Sequence, residues 1–259
     1  MKTAIKLVLL NLLMTQVVAP ILVMIPCTIY LLVTTGNMDR AILTQIMLLP
    51  TLLTGQIMMG IYLWKAGYIS TQKSTWSPVS VPYLLGSALA ILTCGFLLSA
   101  LMGLLDWIPN IMEQSFDILQ SGWGGILTIV IIGPVLEELL FRGAITKALL
   151  QQYDPLKAIF ISALLFGIIH INPAQIIPAF LIGILLAWTY YKTGRLIPGI
   201  FMHILNNSLS VYISYKYPDA EHMDDLISGT PYLLVLSGAV LLLIGSILAM
   251  RYLTSAKAK

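Results

Sequence analysis

PVLEELLFRG, residues 134–143, sets Glu137 and Glu138 side by side in an otherwise apolar run, with Arg142 on the next helical turn. Apolar sequence continues on both sides, from Ile126 to Ile132 and on through Leu149 and Leu150. A stretch of that length reads as a membrane span. Ionisable groups at membrane depth are costly, so they are normally partnered and usually functional. On a helix Glu138 and Arg142 are four apart and share a face, so they can pair. Glu137 points about 100° away and is free to face a different cavity. One glutamate anchored by arginine, with its neighbour left for chemistry, is one division of labour. The other is that all three only knit helices together.

Composition favours a membrane protein throughout. The 259 residues are 58% hydrophobic and only 10% charged, with mean hydropathy +0.91, where a soluble domain carries about 25% charged residues. The fold expected is an all-α, polytopic membrane helix bundle, one integral-membrane domain over 1–259. A net charge of +3 is no argument for a nucleic-acid partner and has to be read loop by loop. Cys27 and Cys94 lie in apolar spans and read as inert core residues, forming neither a disulfide framework nor a metal motif. The first apolar run begins after Lys2 and Lys6 like a signal peptide, yet it extends past Pro20 to Pro26 and beyond, which predicts a retained helix.

About eight spans parse the chain: 5–35, 41–64, 82–105, 122–150, 157–171, 174–191, 196–215 and 231–252. With the N-terminus inside, the inner segments hold Lys2, Lys6, Lys65, Lys73, Lys147, Lys157, Lys192, Arg195, Arg251, Lys257 and Lys259, with Asp154 their one acid. The outer loops hold Asp39, Asp106, Glu113, Asp117, Asp219, Glu221, Asp224 and Asp225 against Arg40 and Lys216. This alternation of Lys and Arg predicts N-in and C-in termini. Aromatics such as Trp64, Trp107, Tyr190, Tyr212 and Tyr215 read as interfacial belts. Ala163 with Gly167, and Gly183 with Ala187, are small pairs that allow close helix contact. Residues 106–121 read as an interfacial helix on the outer surface. Gly133 and Pro134 are expected to bend the fourth span and free backbone groups there.

Three spans carry polar groups at comparable heights. His170 ends the fifth span in FGIIH, with Phe166 one turn earlier, and Asn172-Pro173 stops the helix. In the seventh, HILNN puts His203 and Asn207 on one face, with Asn206 facing elsewhere. His222 sits in an acidic outer loop as a solvated residue. Counting ~1.5 Å per residue from the nearest inner lysine or arginine puts Glu137 at about 15 Å, His203 and Asn207 at about 12 and 18 Å, and His170 at about 20 Å. All fall in the middle to outer part of a ~30 Å slab.

EELLFR, FGIIH and HILNN, in that order, resemble the motifs EExxxR, FxxxH and HxxxN of the CPBP family, the CAAX proteases and bacteriocin-processing (Abi) enzymes. The resemblance covers 122–213. It implies an intramembrane endopeptidase of a bacterial plasma membrane, acting on a hydrophobic or membrane-bound peptide that enters between helices. Bacterial relatives are linked to bacteriocin self-immunity, peptide processing and regulation of surface proteins. Glu137 and His170 would activate water, a general-base role that needs a proton acceptor within reach of it. His203 and Asn207 would donate to the oxyanion. Glu138 and Arg142 would be a supporting pair. The family has also been described as metalloproteases, and Glu137, His170 and His203 can supply zinc ligands, although no HExxH is present. Besides membrane lipids, no partner or cofactor is otherwise indicated. Two other uses fit the same residues: a non-cleaving scaffold that binds membrane proteins, and a proton-coupled transporter, for which no inverted repeat is found.

Overall fold

A computed structural model describes residues 1–220 and 223–255 of the chain. Glu221, His222, Lys257 and Lys259 lie outside them. Among the described residues the protein is all helix, without a strand. In chain order the helices are α1 (Lys2–Thr35), α2 (Arg40–Lys65), α3 (Val81–Gly103), α4 (Glu113–Gln120), α5 (Trp123–Leu150), α6 (Pro155–Ile168), α7 (Pro173–Thr193), α8 (Ile197–Lys216), α9 (Met223–Leu226) and α10 (Gly229–Ser255).

Local chemistry explains the boundaries. Asp39 starts α2 by accepting from the backbone N–H groups of Ala41 and Ile42, and Asp154 starts α6 by accepting from Lys157, both ordinary N-caps. Pro155, Pro173 and Pro198 stand in first turns, where a missing N–H costs nothing. Gly36 and Gly194 close α1 and α7 in the left-handed region, at φ 72° and 63°.

Each of the eight expected spans coincides with a helix. Six are long and apolar enough to cross a membrane: α1, α2, α3, α5, α7 and α10. At 14 residues, α6 is about 21 Å long, shorter than the ~30 Å hydrocarbon core. Polar residues, among them His203, Asn206 and Asn207, dilute α8. The stretch expected as one interfacial helix, 106–121, is helical only over Glu113–Gln120. Loops meet in two groups. The N-terminal amine donates to Gln152 at 2.8 Å, and the Leu196 N–H to the Thr75 carbonyl at 2.9 Å. Asn172 ties the α6–α7 loop to the chain before α4, accepting from the Ile111 N–H at 3.1 Å and donating to Asn110 at 2.8 Å.

Helix α5 is the centre of the bundle, packed by α1, α2, α6, α7 and α8, while α10 lies on α3. The small pairs of α6 and α7 do meet. A Cβ at Gly183 would stand 3.1 Å from the Ala163 Cα, and one at Gly167 would stand 2.7 Å from the Ile176 carbonyl oxygen. The outward faces stay apolar, as at Leu9, Ile25 and Val33 of α1. That suits lipid rather than water as the surrounding solvent. Trp64, Trp107, Tyr212 and Tyr215 are exposed, but Tyr190 is buried and belongs to the core. Cys27 and Cys94, expected in the core, are only half-buried, and neither is in a disulfide.

Candidate active site

Two π-helical stretches, Thr128–Ile132 and Leu139–Thr146, bracket the α-helical turn that carries Glu137 and Glu138. Such widened turns are frequent at functional sites. Proline explains the first. Gly133 donates to the Thr128 carbonyl, five residues back. The next donor in that register would be Pro134, which has no N–H, so the Ile129 carbonyl is left open. The Asn207 side chain fills the gap, its Nδ2 donating to that oxygen at 3.0 Å. One proton of the Asn207 amide is therefore spent on holding α8 to α5. Asn206, expected to face away, instead donates to Asn207 Oδ1 at 3.2 Å.

The two glutamates diverge as adjacent helical residues must. Glu138 is fully buried, whereas the Glu137 side chain is 29% exposed. Glu138 Oε1 accepts from Arg142 at 2.7 Å and from His203 Nδ1 at 3.0 Å. Arg142, 1% exposed, also donates to the Gly183 carbonyl at 3.2 Å, and its guanidinium lies 4.5 Å from the centre of the Phe166 ring. A desolvated cation over an aromatic face contributes about 2 kcal/mol. His203 Nε2 points back at α5, 3.8 Å from Glu137 Oε2. Arg142, Glu138, His203 and Glu137 thus form one row of polar groups from α5 to α8 and back.

His170 approaches from the end of α6. Its Nδ1 lies 2.7 Å from the Phe166 carbonyl oxygen, a partner that can only accept. The ring therefore carries a proton at Nδ1, and in its neutral form the lone pair is on Nε2. Phe166 packs edge-on to both imidazoles, with centroids 4.9 Å from His170 and 5.7 Å from His203. The following residue, Ile171, is β-branched yet sits at φ 61°, a strain of about 1–3 kcal/mol. The anchored Asn172 side chain helps to hold it.

Glu137 and His170 line one cavity of about 150 Å³, together with Asn11, Thr15, Gln16 and Gln56 of α1 and α2. His203 and Asn207 are not among its lining residues. Zinc would draw on Glu137, His170 and His203. Yet among the described residues no three His, Cys, Asp or Glu side chains are placed to hold a metal ion. The three do not form a zinc-binding set in this arrangement.

Sequence patterns did not reveal every contributor. Gly199 is one, since a Cβ there would meet Glu138 Oε2 at 2.9 Å. Gly199→Ala is expected to push the Glu138 carboxylate off His203 and Arg142 and to lower the stability of the protein, because it disturbs a buried ion pair. Thermal unfolding of the purified variant checks this, and a wild-type midpoint would show that the carboxylate has room to move. The Gly183 carbonyl, the Phe166 carbonyl and the Asn172 anchor were also missed. Backbone acceptors leave no mark in a side-chain pattern.

Residues 119–209 match the family model for type II CAAX prenyl endopeptidase Rce1-like proteins. YdiL of Bacillus subtilis (strain 168), which carries a membrane-peptidase name, is 30% identical over 104 residues, 40% of this chain and 43% of that protein. The membrane-embedded CAAX protease MroQ of Staphylococcus aureus (strain USA300) is 31% identical over 102 residues, 37% of this chain and 41% of that one. The chain thus spans about two fifths of the length of these curated relatives. No solved structure matches it. Residues 119–209 of this multi-pass membrane protein are thus similar to the Rce1-like CAAX prenyl endopeptidases, and its curated relatives are bacterial membrane proteins.

Proposed function

We propose that this chain is an intramembrane endopeptidase that hydrolyses a peptide bond in a hydrophobic or membrane-anchored substrate. The observation that carries the reading is the cavity shared by Glu137 and His170. A carboxylate and a free imidazole nitrogen facing one hollow are what activation of a water molecule requires.

In the proposed reaction Glu137 takes a proton from water as the water oxygen bonds to the carbonyl carbon. The carbonyl electron pair moves onto its oxygen. His170 Nε2 relays the proton to the amide nitrogen, the oxyanion electron pair re-forms the C=O bond, and the C–N bond breaks to release an amine and a carboxylic acid. His203 reaches the site through Nε2, which donates to an oxyanion only when both ring nitrogens are protonated. Asn207 offers its remaining amide proton. Glu138 and Arg142 act behind this group: their pair fixes His203 Nδ1 and the rotation of α5, which keeps Glu137 turned to the cavity.

Cleavage of fluorogenic hydrophobic peptides by purified protein in liposomes tests the reading. Cleavage by the wild type that vanishes in His170→Ala is the expected result. No cleavage by the wild type, with correctly inserted protein, would falsify it. A strong chelator is expected to leave the rate unchanged, since Glu137, His170 and His203 do not converge as ligands. Loss of activity on chelation, restored by stoichiometric zinc, would replace the two-residue scheme with a metal one.

A further inference from the structure

Helices α1 and α2 lie outside the matched segment 119–209, yet they supply the polar wall opposite Glu137. Glycines of α2 make this wall possible. A Cβ at Gly55 would come within 2.9 Å of the Thr15 Cα, and one at Gly60 within 2.9 Å of Leu136 Cδ2. Lacking both, α2 lies tight against α1 and α5, and Gln56 falls between them.

Gln56 lines the cavity with Glu137 and His170. Its Oε1 is shut off from solvent and has no hydrogen-bond partner among the described residues. Buried carboxamides are normally satisfied, so an orphan of this kind asks what completes it. Its Nε2 stands over Gly133, 3.1 Å from where a Cβ would be, and Glu137 Oε1 stands 3.9 Å from the same point. The carboxamide and the carboxylate thus flank one notch in α5, which an alanine would fill.

The amide N–H groups of Gln56 can serve a peptide carbonyl. Other donors near the site are committed or conditional. Asn207 already donates to Ile129, and His203, with Nδ1 on Glu138, can donate from Nε2 only as an imidazolium. The Gln56 amide donates whatever the protonation state of its neighbours. We infer that Gln56 is a substrate-contacting residue of the active site: its Nε2 donates to the carbonyl oxygen of the bond being cleaved. This rests on the endopeptidase reading. The role it adds is electrostatic, a preorganised dipole aimed where negative charge develops.

The test uses full-length protein in liposomes with a fluorogenic hydrophobic peptide that the wild type cleaves. Gln56→Met keeps length and volume but removes the donor. Its kcat is expected to fall about 10²–10³-fold, the usual effect of losing one oxyanion donor, with KM changed less than threefold and the thermal midpoint kept. Gln56→Glu sets an acceptor-only carboxylate against the developing charge and is expected to lose more. Wild-type kcat in both variants, or a rise in KM alone, would overturn the assignment while leaving the endopeptidase reading intact, provided that Glu137→Gln is inactive in the same assay. If the wild type cleaves no peptide, the reading and the assignment fall together.

Discussion

Glu137→Gln is expected to cut peptide cleavage at least about 10³-fold while leaving the fold in place. Removing a general base costs typically 10²–10⁴-fold, and in the proposed reaction the same carboxylate both takes the proton and orients the water. Glutamine keeps the shape and the polarity of the side chain. Glu137 is 29% exposed and its nearest ionic neighbour, His203 Nε2, is 3.8 Å away, too far for a direct hydrogen bond. Little stability is therefore at stake. Comparative peptidomics of membranes from cells with wild-type and Glu137→Gln protein would also reveal the natural substrate, as peptides present only with the former. Activity within tenfold of wild type would assign the water to another base.

Arg142→Met is expected to give the largest loss of stability, about 3–5 kcal/mol, because it strands a buried carboxylate. Arg142 and Glu138 are 1% and 0% exposed and 2.7 Å apart, and the guanidinium also serves the Gly183 carbonyl and the Phe166 ring. Replacing both partners, as Glu138→Leu with Arg142→Met, should recover much of that loss, since apolar groups of similar volume can replace a buried pair with little penalty. It should not recover activity, because His203 Nδ1 loses its acceptor. Denaturant titration in detergent measures the first effect and peptide cleavage the second. A single variant as stable as wild type would mean that the pair holds nothing together. An active double variant would mean that His203 needs no anchor.

Much of the site was legible in three short stretches. The i, i+4 spacing of Glu138 and Arg142 implied their pairing, since a helix puts such residues on one face. Asn172-Pro173 implied that α6 stops just there, and it ends at Ile168 with His170 in the turn that follows. Depth counting put Glu137, His170, His203 and Asn207 at comparable heights, and the structure sets Glu137 and His170 on one cavity with His203 3.8 Å from Glu137. The relation of Asn206 to Asn207 was misread, because rotation about the helix axis says where a Cβ points but not where a flexible amide reaches. The expected span 157–171 ran three residues too far, as apolar composition does not distinguish the end of a helix from the turn after it.

By itself the sequence determined that this is a helical membrane protein, which residues cannot be lipid-facing, and that Glu137 and Glu138 diverge by one helical step. Those properties follow from hydropathy and helical periodicity, both local along the chain. Only the tertiary structure decided which groups share a hollow. It put Gln56, Thr15 and Asn11 of α1 and α2 beside Glu137 and His170, gave His203 to Glu138, and spent an Asn207 proton on the carbonyl that Pro134 leaves open. The physical reason is that these partners are far apart in sequence, 65 positions for His203 and Glu138 and 78 for Asn207 and Ile129. Such pairings depend on how close two helices come, and glycines such as Gly55, Gly60 and Gly199 set that distance without any side chain to announce it.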